Sequence, residues 1–267
     1  MSDSNVTVLL STVNSKKNII KNANIKTDAI IINQSDAFGK EIILYKDHII
    51  YWYDFDERGV GLSRNNAISR VKSDYAMIVD DDVVLFDDYE SKIKKWFDIL
   101  PNADVLIFNI ESSNVLFKTT TRVKRINKLN FYNYGATRIV FKTKVISMKG
   151  IYFNQNFGGG TTFSCGEDTL FLNELLNKKL KVYAVPDSIY KLTEERESTW
   201  FKGYNEKYFF DNGVFWATCS LKYSRILSTL MLIKNFHHFN TQLTFFQALK
   251  LVHKGIKFVK SKEYLKK

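Results

Sequence analysis

Apolar runs alternate with amphipathic stretches over roughly the first 110 residues. The runs are rich in β-branched residues and apolar throughout, which is typical of strands buried on both faces. The predicted strands span residues 5–13, 28–33, 48–55, 75–80 and 104–110, and the predicted helices 62–71 and 87–100. This alternation predicts an α/β fold with a mostly parallel central sheet and helices on both faces.

The second half of the chain has a less regular pattern. It predicts a strand or strand-turn at 136–146, an amphipathic helix at 168–180, a strand with an exit loop at 181–192, and helices at 214–234 and 241–260. Only helical patterns remain after residue 208, so the strand-helix alternation stops there. We therefore predict an α/β domain over residues 1–207 and a helical basic region over 208–267.

Composition narrows the class of protein. Hydrophobic residues make up 45% and charged residues 25%, which allows a sizeable core and argues against disorder. The two cysteines form no CxxC pattern, which disfavours a disulfide framework or a zinc site. The sequence begins without a signal-peptide pattern and contains no long apolar run, so we expect a cytoplasmic protein.

The charge is strongly positive and concentrated near the C-terminus. A net charge of +11 favours anionic partners, namely nucleic acid, acidic lipid head groups or phosphorylated substrates. Seven lysines against one acid fall in the last eighteen residues, on and after the amphipathic helix predicted at 241–260. We expect this basic helix to bring the protein to the inner face of the cell membrane as a peripheral contact. The alternative is a helix packed on the core with a solvated lysine face.

Three consecutive carboxylates, Asp80, Asp81 and Asp82, follow the apolar strand YAMIV. Ligands of open α/β sheets bind beyond the carboxyl ends of the strands, and carboxylates there suit a hard divalent cation. Because side chains alternate along an extended segment, Asp80 and Asp82 would face one way and Asp81 the other. A polar turn after a strand is the structural alternative.

A glycine-containing segment, GVGLSRNNAIS at residues 59–69, lies just upstream of that strand. Its two glycines permit a tight backbone before a helix, and Ser63 is predicted to cap that helix. Arg64 would project from the first turn, where its forked donors suit a diphosphate or a base. Taken alone, the segment favours the start of a surface helix.

These motifs resemble the family 2 glycosyltransferases. A strand, then G-x-G-x-x-R-N-x-A, then an apolar strand ending in D-D-D matches the order of that family's motifs, and Gly-Glu-Asp at 166–168 resembles its glycine-glutamate-aspartate segment. The resemblance covers roughly residues 5–200. Places where the family binds the nucleoside are occupied here by Ser11, Thr12, Asn33 and Asp36. The family often has an acidic residue where Asn33 stands.

The resemblance implies a GT-A fold, a nucleoside-diphosphate-sugar donor such as a UDP-sugar, and Mn²⁺ or Mg²⁺. It implies that Asp82 binds the metal directly, and that Asp80 contacts the ribose or the metal through water. Arg64 and Asp81 would belong to the donor site. Asp168 would be the general base, and Glu167 would shape the acceptor site. These two acids at a helix start are also what the helix dipole alone favours.

Two further residues are candidates for acceptor binding. Gly159 lies within three consecutive glycines, which suit a mobile loop or a close approach of backbone to ligand. Trp200 offers an aromatic face on which a sugar could stack. A flexible connection and ordinary packing are the respective alternatives.

The sequence thus predicts an inverting glycosyltransferase of the hexosyltransferase kind. Its acceptor would be a hydroxyl of a glycan or a lipid-linked saccharide in surface polysaccharide biosynthesis. A metal-dependent nucleotidyltransferase would carry a glycine-rich loop after the first strand, where this chain reads STVNSKKN. A nucleic-acid-binding protein would show basic residues interleaved with aromatics on one motif, which the sequence lacks, so we expect no nucleic-acid partner. A non-catalytic nucleotide-binding protein of the same fold remains an alternative.

Overall fold

The structure is a computed structural model that describes residues 5–112, 119–135, 138–163, 166–193 and 203–261. Its first elements are β1 (Val6–Val13), α1 (Ile19–Asn22), β2 (Asp28–Gln34), β3 (Gly39–Tyr45), β4 (His48–Phe55), α2 (Val60–Ile68), β5 (Tyr75–Asp80), β6 (Val83–Leu85), α3 (Tyr89–Ile99) and β7 (Val105–Glu111). The later elements are β8 (Lys124–Arg125), a 3₁₀ turn (Phe131–Asn133), β9 (Ile139–Lys142), α4 (Thr143–Lys149), α5 (Glu167–Asn177), β10 (Val182–Leu192), α6 (Glu206–Cys219), α7 (Ser224–Phe239) and α8 (Phe245–Lys260).

The sheet is mixed rather than uniformly parallel. Strands β4, β2, β1 and β5 are parallel neighbours in that order, as expected from the strand-helix alternation. Beyond β5, strand β9 pairs antiparallel with both β5 and β7, and β10 then runs parallel to β7. The predicted α/β class is therefore confirmed, with parallel pairing concentrated in the first half of the chain.

Some elements differ from the sequence prediction. Strand β3 was not predicted, because it forms a hairpin with β4 through Lys46 and Asp47, both at positive φ, rather than through an Asn-Gly or Asp-Gly turn. Most of its side chains are exposed, so it has no buried alternation to detect. The strand predicted at 136–146 covers only β9, after which the chain turns into α4. The helix predicted at 214–234 is interrupted by extended backbone at Ser220.

Two apolar layers enclose the sheet. Along β1, Val8 and Leu10 face a core built with α3, whereas Leu9 faces a second core built with α2 and α5. Because successive side chains of a strand point to opposite faces, a strand that is apolar throughout has to be covered on both sides. The helices on both faces thus follow directly from the apolar runs in the sequence.

The described residues fall into two compact units. The first comes from residues 1–156 and 167–196 and holds the sheet, and the second comes from 157–166 and 197–267 and holds the three C-terminal helices. The domain division predicted at residue 207 stays a prediction. Among the described helices, none combines the length and apolar composition that a membrane span needs.

Helices α6 and α8 of the second unit cross in backbone contact. A Cβ on Gly213 would lie 2.0 Å from the carbonyl oxygen of Val252, and one on Gly255 would lie 2.2 Å from that of Phe210. Only glycine fits at either position, because both obstructing atoms are backbone. The apolar face of α8, with Ala248 and Ile256 buried, is used in this packing.

Candidate active site

Polar side chains gather where the parallel strands end. Ser11 of β1 is paired in register with Asp80 of β5, and the next residue, Thr12, is paired with Asn33 of β2. Ser11, Thr12 and Asn33 are buried although polar. Buried polar groups at the carboxyl edge of an open α/β sheet are typical of a ligand site. The structure therefore brings four of the residues predicted for the donor site to one edge.

Asn33 is fixed by hydrogen bonds on both sides of its amide. Its Oδ1 accepts from the backbone N–H of Ser15 at 2.9 Å, and its Nδ2 donates to Asp54 Oδ1 at 2.7 Å. Trp52 Nε1 also donates to Asp54 Oδ1, at 3.0 Å. A carboxylate thus lies beside the position where the family often has one. Asp54 was not among the predicted residues, although its pairing with Asn33 follows once β2 and β4 are aligned.

Thr12 connects β1 to the acidic motif, and Ser11 connects it to the glycine motif. The Thr12 hydroxyl donates to Asp81 Oδ2 at 2.7 Å, and the Ser63 hydroxyl donates to Ser11 Oγ at 2.9 Å. The prediction that Ser63 caps α2 is wrong, because the helix begins after Gly59 with no side-chain cap. Gly59 has φ 123°, a conformation that glycine adopts readily. Ser63 instead faces inward and links α2 to the strand edge.

The glycine motif holds α2 against the segment at 153–154. A Cβ on Gly61 would lie 3.0 Å from the carbonyl oxygen of Asn154, so glycine allows the close approach. The amide of Asn65 accepts from the backbone N–H of Phe153 at 2.7 Å and donates to its carbonyl at 2.9 Å. Gly61 therefore allows α2 to approach this segment closely, and Asn65 anchors the helix to it. Together they fix the position from which the Arg64 side chain extends.

Arg64 is the centre of the site. Its side chain is only 3% exposed. Its Nη2 donates to both oxygens of Asp80, at 2.9 and 3.1 Å, and its Nη1 donates to Asp168 Oδ1 at 2.6 Å. Glu167 Oε1 lies 3.6 Å from Nη1. One guanidinium thus joins the acidic motif of β5 to the acidic start of α5, although Asp168 lies 104 residues after Arg64 in the chain.

The ring of Phe153 lies under this cluster. The guanidinium carbon of Arg64 is 5.2 Å from its centroid, a cation–π contact, and the ring of Phe171 on α5 stacks on it at 4.1 Å. The aromatic pair therefore fixes α5 relative to Arg64. Helix α5 begins at Glu167, so Asp168 lies in its first turn as predicted.

The cluster carries more negative than positive charge. Burial, and then the neighbouring charge of Asp168, raises the pKa of Glu167 to about 8. Burial also raises the pKa of Asp80, and the attraction of Arg64 opposes this only in part. Burial acts to lower the pKa of Arg64, but the three carboxylates outweigh it and raise the pKa above its ordinary value. The guanidinium is therefore permanently charged, and the surplus negative charge suits a cation.

The backbone of Gly135 lies close to the second oxygen of Asp168. A Cβ at that position would lie 3.3 Å from Asp168 Oδ2. While Oδ1 is held by Arg64, Oδ2 therefore borders a position without a side chain. Gly135 was not among the predicted residues. No sequence motif indicates it, because its position next to Asp168 depends on the tertiary fold.

The remaining predicted residues lie in different places. The Asp82 carbonyl accepts from both the backbone N–H and the hydroxyl of Thr193, at 2.9 Å each, which fixes the turn after β5. Asp36 is exposed on the loop after β2 and forms an ion pair with Arg58. Gly159 is buried in the second unit, within a loop closed by a bridge between Phe157 and Phe163. Trp200 lies outside the described residues.

The carboxylates after β5 fit a divalent cation of the kind that binds nucleotides. Within the residues that the structure describes, no three histidine, cysteine or acidic side chains form a ready metal cluster. Magnesium sites for nucleotides use one or two carboxylates and are completed by phosphate oxygens and water. Asp80 is one such carboxylate, in a cluster whose surplus negative charge suits a cation. The assignment of a metal to Asp80 and Asp82 stays a prediction.

Comparisons with known proteins agree with this geometry. Residues 13–177 match the family described as Glycosyl transferase family 2. The 1–349 fragment of S. aureus TarS in complex with UDP-GlcNAc is similar over 94% of this chain and 81% of its own, with TM-score 0.65 and 15% identity. Mannosyltransferase PcManGT from Pyrobaculum calidifontis, in complex with GDP-Man and Mn²⁺, is similar over 96% and 75%, with TM-score 0.53 and 13% identity.

The two structural likenesses concern the fold, and they confirm the predicted GT-A architecture. No curated protein matches the chain. The family match, in contrast, spans more than half of the 267 residues and includes the glycine motif, the three aspartates and the start of α5. The chain therefore belongs to glycosyl transferase family 2.

Proposed function

We propose that this nucleotide-sugar glycosyltransferase moves a sugar from a UDP-sugar to an acceptor hydroxyl, with inversion at the anomeric carbon. The observation that carries the proposal is the buried Arg64, which joins Asp80 to Glu167 and Asp168. The cluster supports a reaction that needs a donor site and a proton acceptor side by side. Asp80 on the donor side and Asp168 on the acceptor side both bind the Arg64 guanidinium, so their carboxylates hold a fixed relative position.

The donor binds along the strand edge. Ser11, Thr12, Asn33 and Asp36 bind the nucleoside, and the carboxylate of Asp54 orients the Asn33 amide toward the base. Arg64, Asp80 and Asp81 border the diphosphate. Asp80 and Asp82 hold Mn²⁺ or Mg²⁺, which neutralises charge on the diphosphate leaving group when it is bound.

Asp168 acts as the general base. Its Oδ1 is held by Arg64, and its Oδ2, which borders Gly135, is the oxygen that accepts the proton. The carboxylate takes the hydroxyl proton as the acceptor oxygen bonds to the anomeric carbon and the bond to the diphosphate breaks. One displacement without an enzyme-bound sugar inverts the configuration. Glu167, whose pKa burial raises to about 8, lies beside Asp168 and shapes the acceptor site.

The acceptor is a glycan or a lipid-linked saccharide in surface polysaccharide biosynthesis. Gly159 and Trp200 contribute to its binding. The protein works in the cytoplasm, held peripherally at the inner face of the membrane. This location is supported by a row of exposed lysines along α8, namely Lys250, Lys254, Lys257 and Lys260.

Calorimetry with UDP, GDP, ADP and CDP tests the donor site. UDP should bind wild-type protein in the presence of Mn²⁺ and much more weakly without it. Asp82→Ala should lose the Mn²⁺-dependent part, whereas Asp88→Ala, an exposed acid at the start of α3, should not. If folded wild-type protein binds none of the four with or without Mn²⁺, the proposal is wrong. Selective binding of GDP would correct the nucleotide alone.

A further inference from the structure

One face of α7 is apolar and exposed to solvent. Tyr223, which precedes the helix, is 51% exposed, and Ile226, Leu230 and Ile233 are 63, 58 and 60% exposed. Their spacings of three, four and three residues place all four on one side of a helix. This apolar stripe is therefore continuous over about three turns.

The opposite face of the same helix is already buried. Ser224, Ser228, Leu232 and Phe239 are its buried residues, and they face away from the exposed stripe by about half a turn. A helix that only packs against its own unit needs one apolar face. The second apolar face of α7 is therefore not explained by the packing of the helix within its unit.

Aromatic residues extend this surface across the α7–α8 connection. The ring of Phe236 lies 6.0 Å from that of Phe245, which lies 5.8 Å from that of Phe246. Phe246 is 79% exposed, although it is among the largest apolar side chains of the chain. We call Tyr223, Ile226, Leu230 and Ile233 the α7 apolar surface. Exposed apolar areas of this kind are typical of interaction sites.

The segment of chain that carries this surface has charges of one sign. Residues 212–261 contain no aspartate or glutamate. Over the same fifty residues the chain carries seven cations, namely Lys222, Arg225, Lys234, Lys250, Lys254, Lys257 and Lys260. A surface that combines exposed apolar side chains with unbalanced positive charge is complementary to an anionic lipid interface.

We infer that the α7 apolar surface inserts into the interface of an anionic membrane while the cations of the same segment bind the lipid head groups. This assigns the apolar contact to α7, because the apolar face of α8 is used against α6. A second copy of the chain fits less well, since a two-fold contact would bring two acid-free, positively charged surfaces together. The inference does not depend on the proposed sugar transfer.

Co-sedimentation of the full chain with vesicles tests the inference. Wild-type protein should bind vesicles of equimolar phosphatidylcholine and phosphatidylglycerol, and bind pure phosphatidylcholine far more weakly. The double variant Leu230→Ser/Ile233→Ser should reduce the partition coefficient at least about tenfold, because two apolar side chains no longer enter the interface. Each of Lys222→Gln and Lys234→Gln should reduce it about fivefold.

The matched control is Leu129→Ser, which removes an 83% exposed leucine from the first unit and should bind like wild type. Beyond the signal of the four native tryptophans, Ile233→Trp should add fluorescence that brominated lipids quench, and Leu129→Trp should add fluorescence that they do not quench. Two results would overturn the inference: wild-type protein that does not bind the anionic vesicles, and a Leu230→Ser/Ile233→Ser variant that binds as tightly as Leu129→Ser. A dimer that this variant converts to monomer, without vesicle binding, would identify a second copy as the partner.

Discussion

Arg64 and the α7 apolar surface are both in environments that their side chains usually avoid. Arg64 is a charge with almost no exposure to water, and Ile226, Leu230 and Ile233 are apolar side chains that are mostly exposed. The buried charge is accounted for inside the protein, by three carboxylates and an aromatic ring. The exposed apolar residues are explained only by something outside it. The cluster around Arg64 therefore indicates a reaction site, and the α7 apolar surface indicates a binding partner.

The two regions also differ in whether a substitution should change activity or stability. Asp168 is the proposed general base and lies outside the apolar core, whereas Gly213 lies at the crossing of α6 and α8 and contributes to packing. Arg64 should affect both stability and activity, because it is buried within the cluster that it organises. Substitutions at these positions therefore test whether the site mainly determines activity and the helical unit mainly contributes stability.

The largest expected effect is on turnover. Asp168→Asn should lower kcat by about 10²–10⁴-fold, since the amide cannot accept the hydroxyl proton. The melting temperature should change by only a few degrees at most, because the side chain keeps its shape. Initial rates with a UDP-sugar donor measure the effect, and Glu174→Gln on the same helix is the control. A variant that keeps more than a tenth of wild-type turnover would exclude Asp168 as the base.

Arg64→Met should destabilise the protein by about 3–5 kcal/mol, because it leaves buried carboxylates without their counter-charge. It should also reduce activity, since Asp80 and Asp168 lose their common partner. Arg58→Met removes an exposed ion pair with Asp36 and should cost about 0–1 kcal/mol. Chemical denaturation of both variants measures the difference. Equal losses of stability would mean that the Arg64 network is not a buried, coupled cluster.

Gly213→Ala should destabilise the helical unit by about 1–3 kcal/mol or more, because the new methyl group meets the backbone of α8. The neighbouring substitution Asn212→Ala adds no atom at the crossing and serves as the control. Differential scanning calorimetry of both variants reports the change. A Gly213→Ala protein as stable as wild type would show that α6 and α8 cross at a larger distance.

The pH dependence of stability should be specific to the site. The pKa of Glu167 is about 8, above its ordinary 4.5, so between these values the unfolded chain loses a proton that the folded protein keeps. Stability contributed by this group is thus full below about pH 4.5 and declines toward pH 8, by on the order of 1 kcal/mol for each pKa unit of difference. The raised pKa of Asp80 acts in the same direction.

Glu167→Gln should weaken this decline when melting is measured across that pH range without divalent cations. Relative to wild type, the variant should therefore be more stable at pH 8 than at pH 5. Glu174→Gln, farther along α5, should follow the wild-type curve. Parallel curves for wild type and Glu167→Gln would contradict the raised pKa.

Elements with strong local patterns could be predicted closely. The strands predicted at 48–55 and 75–80 have the same bounds in the structure, because apolar β-branched and aromatic runs are decided over a few residues. Strand β3 could not be predicted, since it is an exposed edge strand that depends on its hairpin partner. Asp54 lay inside a predicted strand, but its role as the partner of Asn33 required the pairing of β2 with β4.

The sequence by itself determined the family motifs, the α/β class and the candidate residues Arg64, Asp80 and Asp168. Periodicity and motif spacing are local properties, so they can be seen in the chain alone. Only the tertiary structure decided that one guanidinium joins β5 to α5, because those residues are far apart in sequence. It also decided which apolar face is covered, since α7 and α8 both carry apolar stripes and burial depends on what each helix packs against.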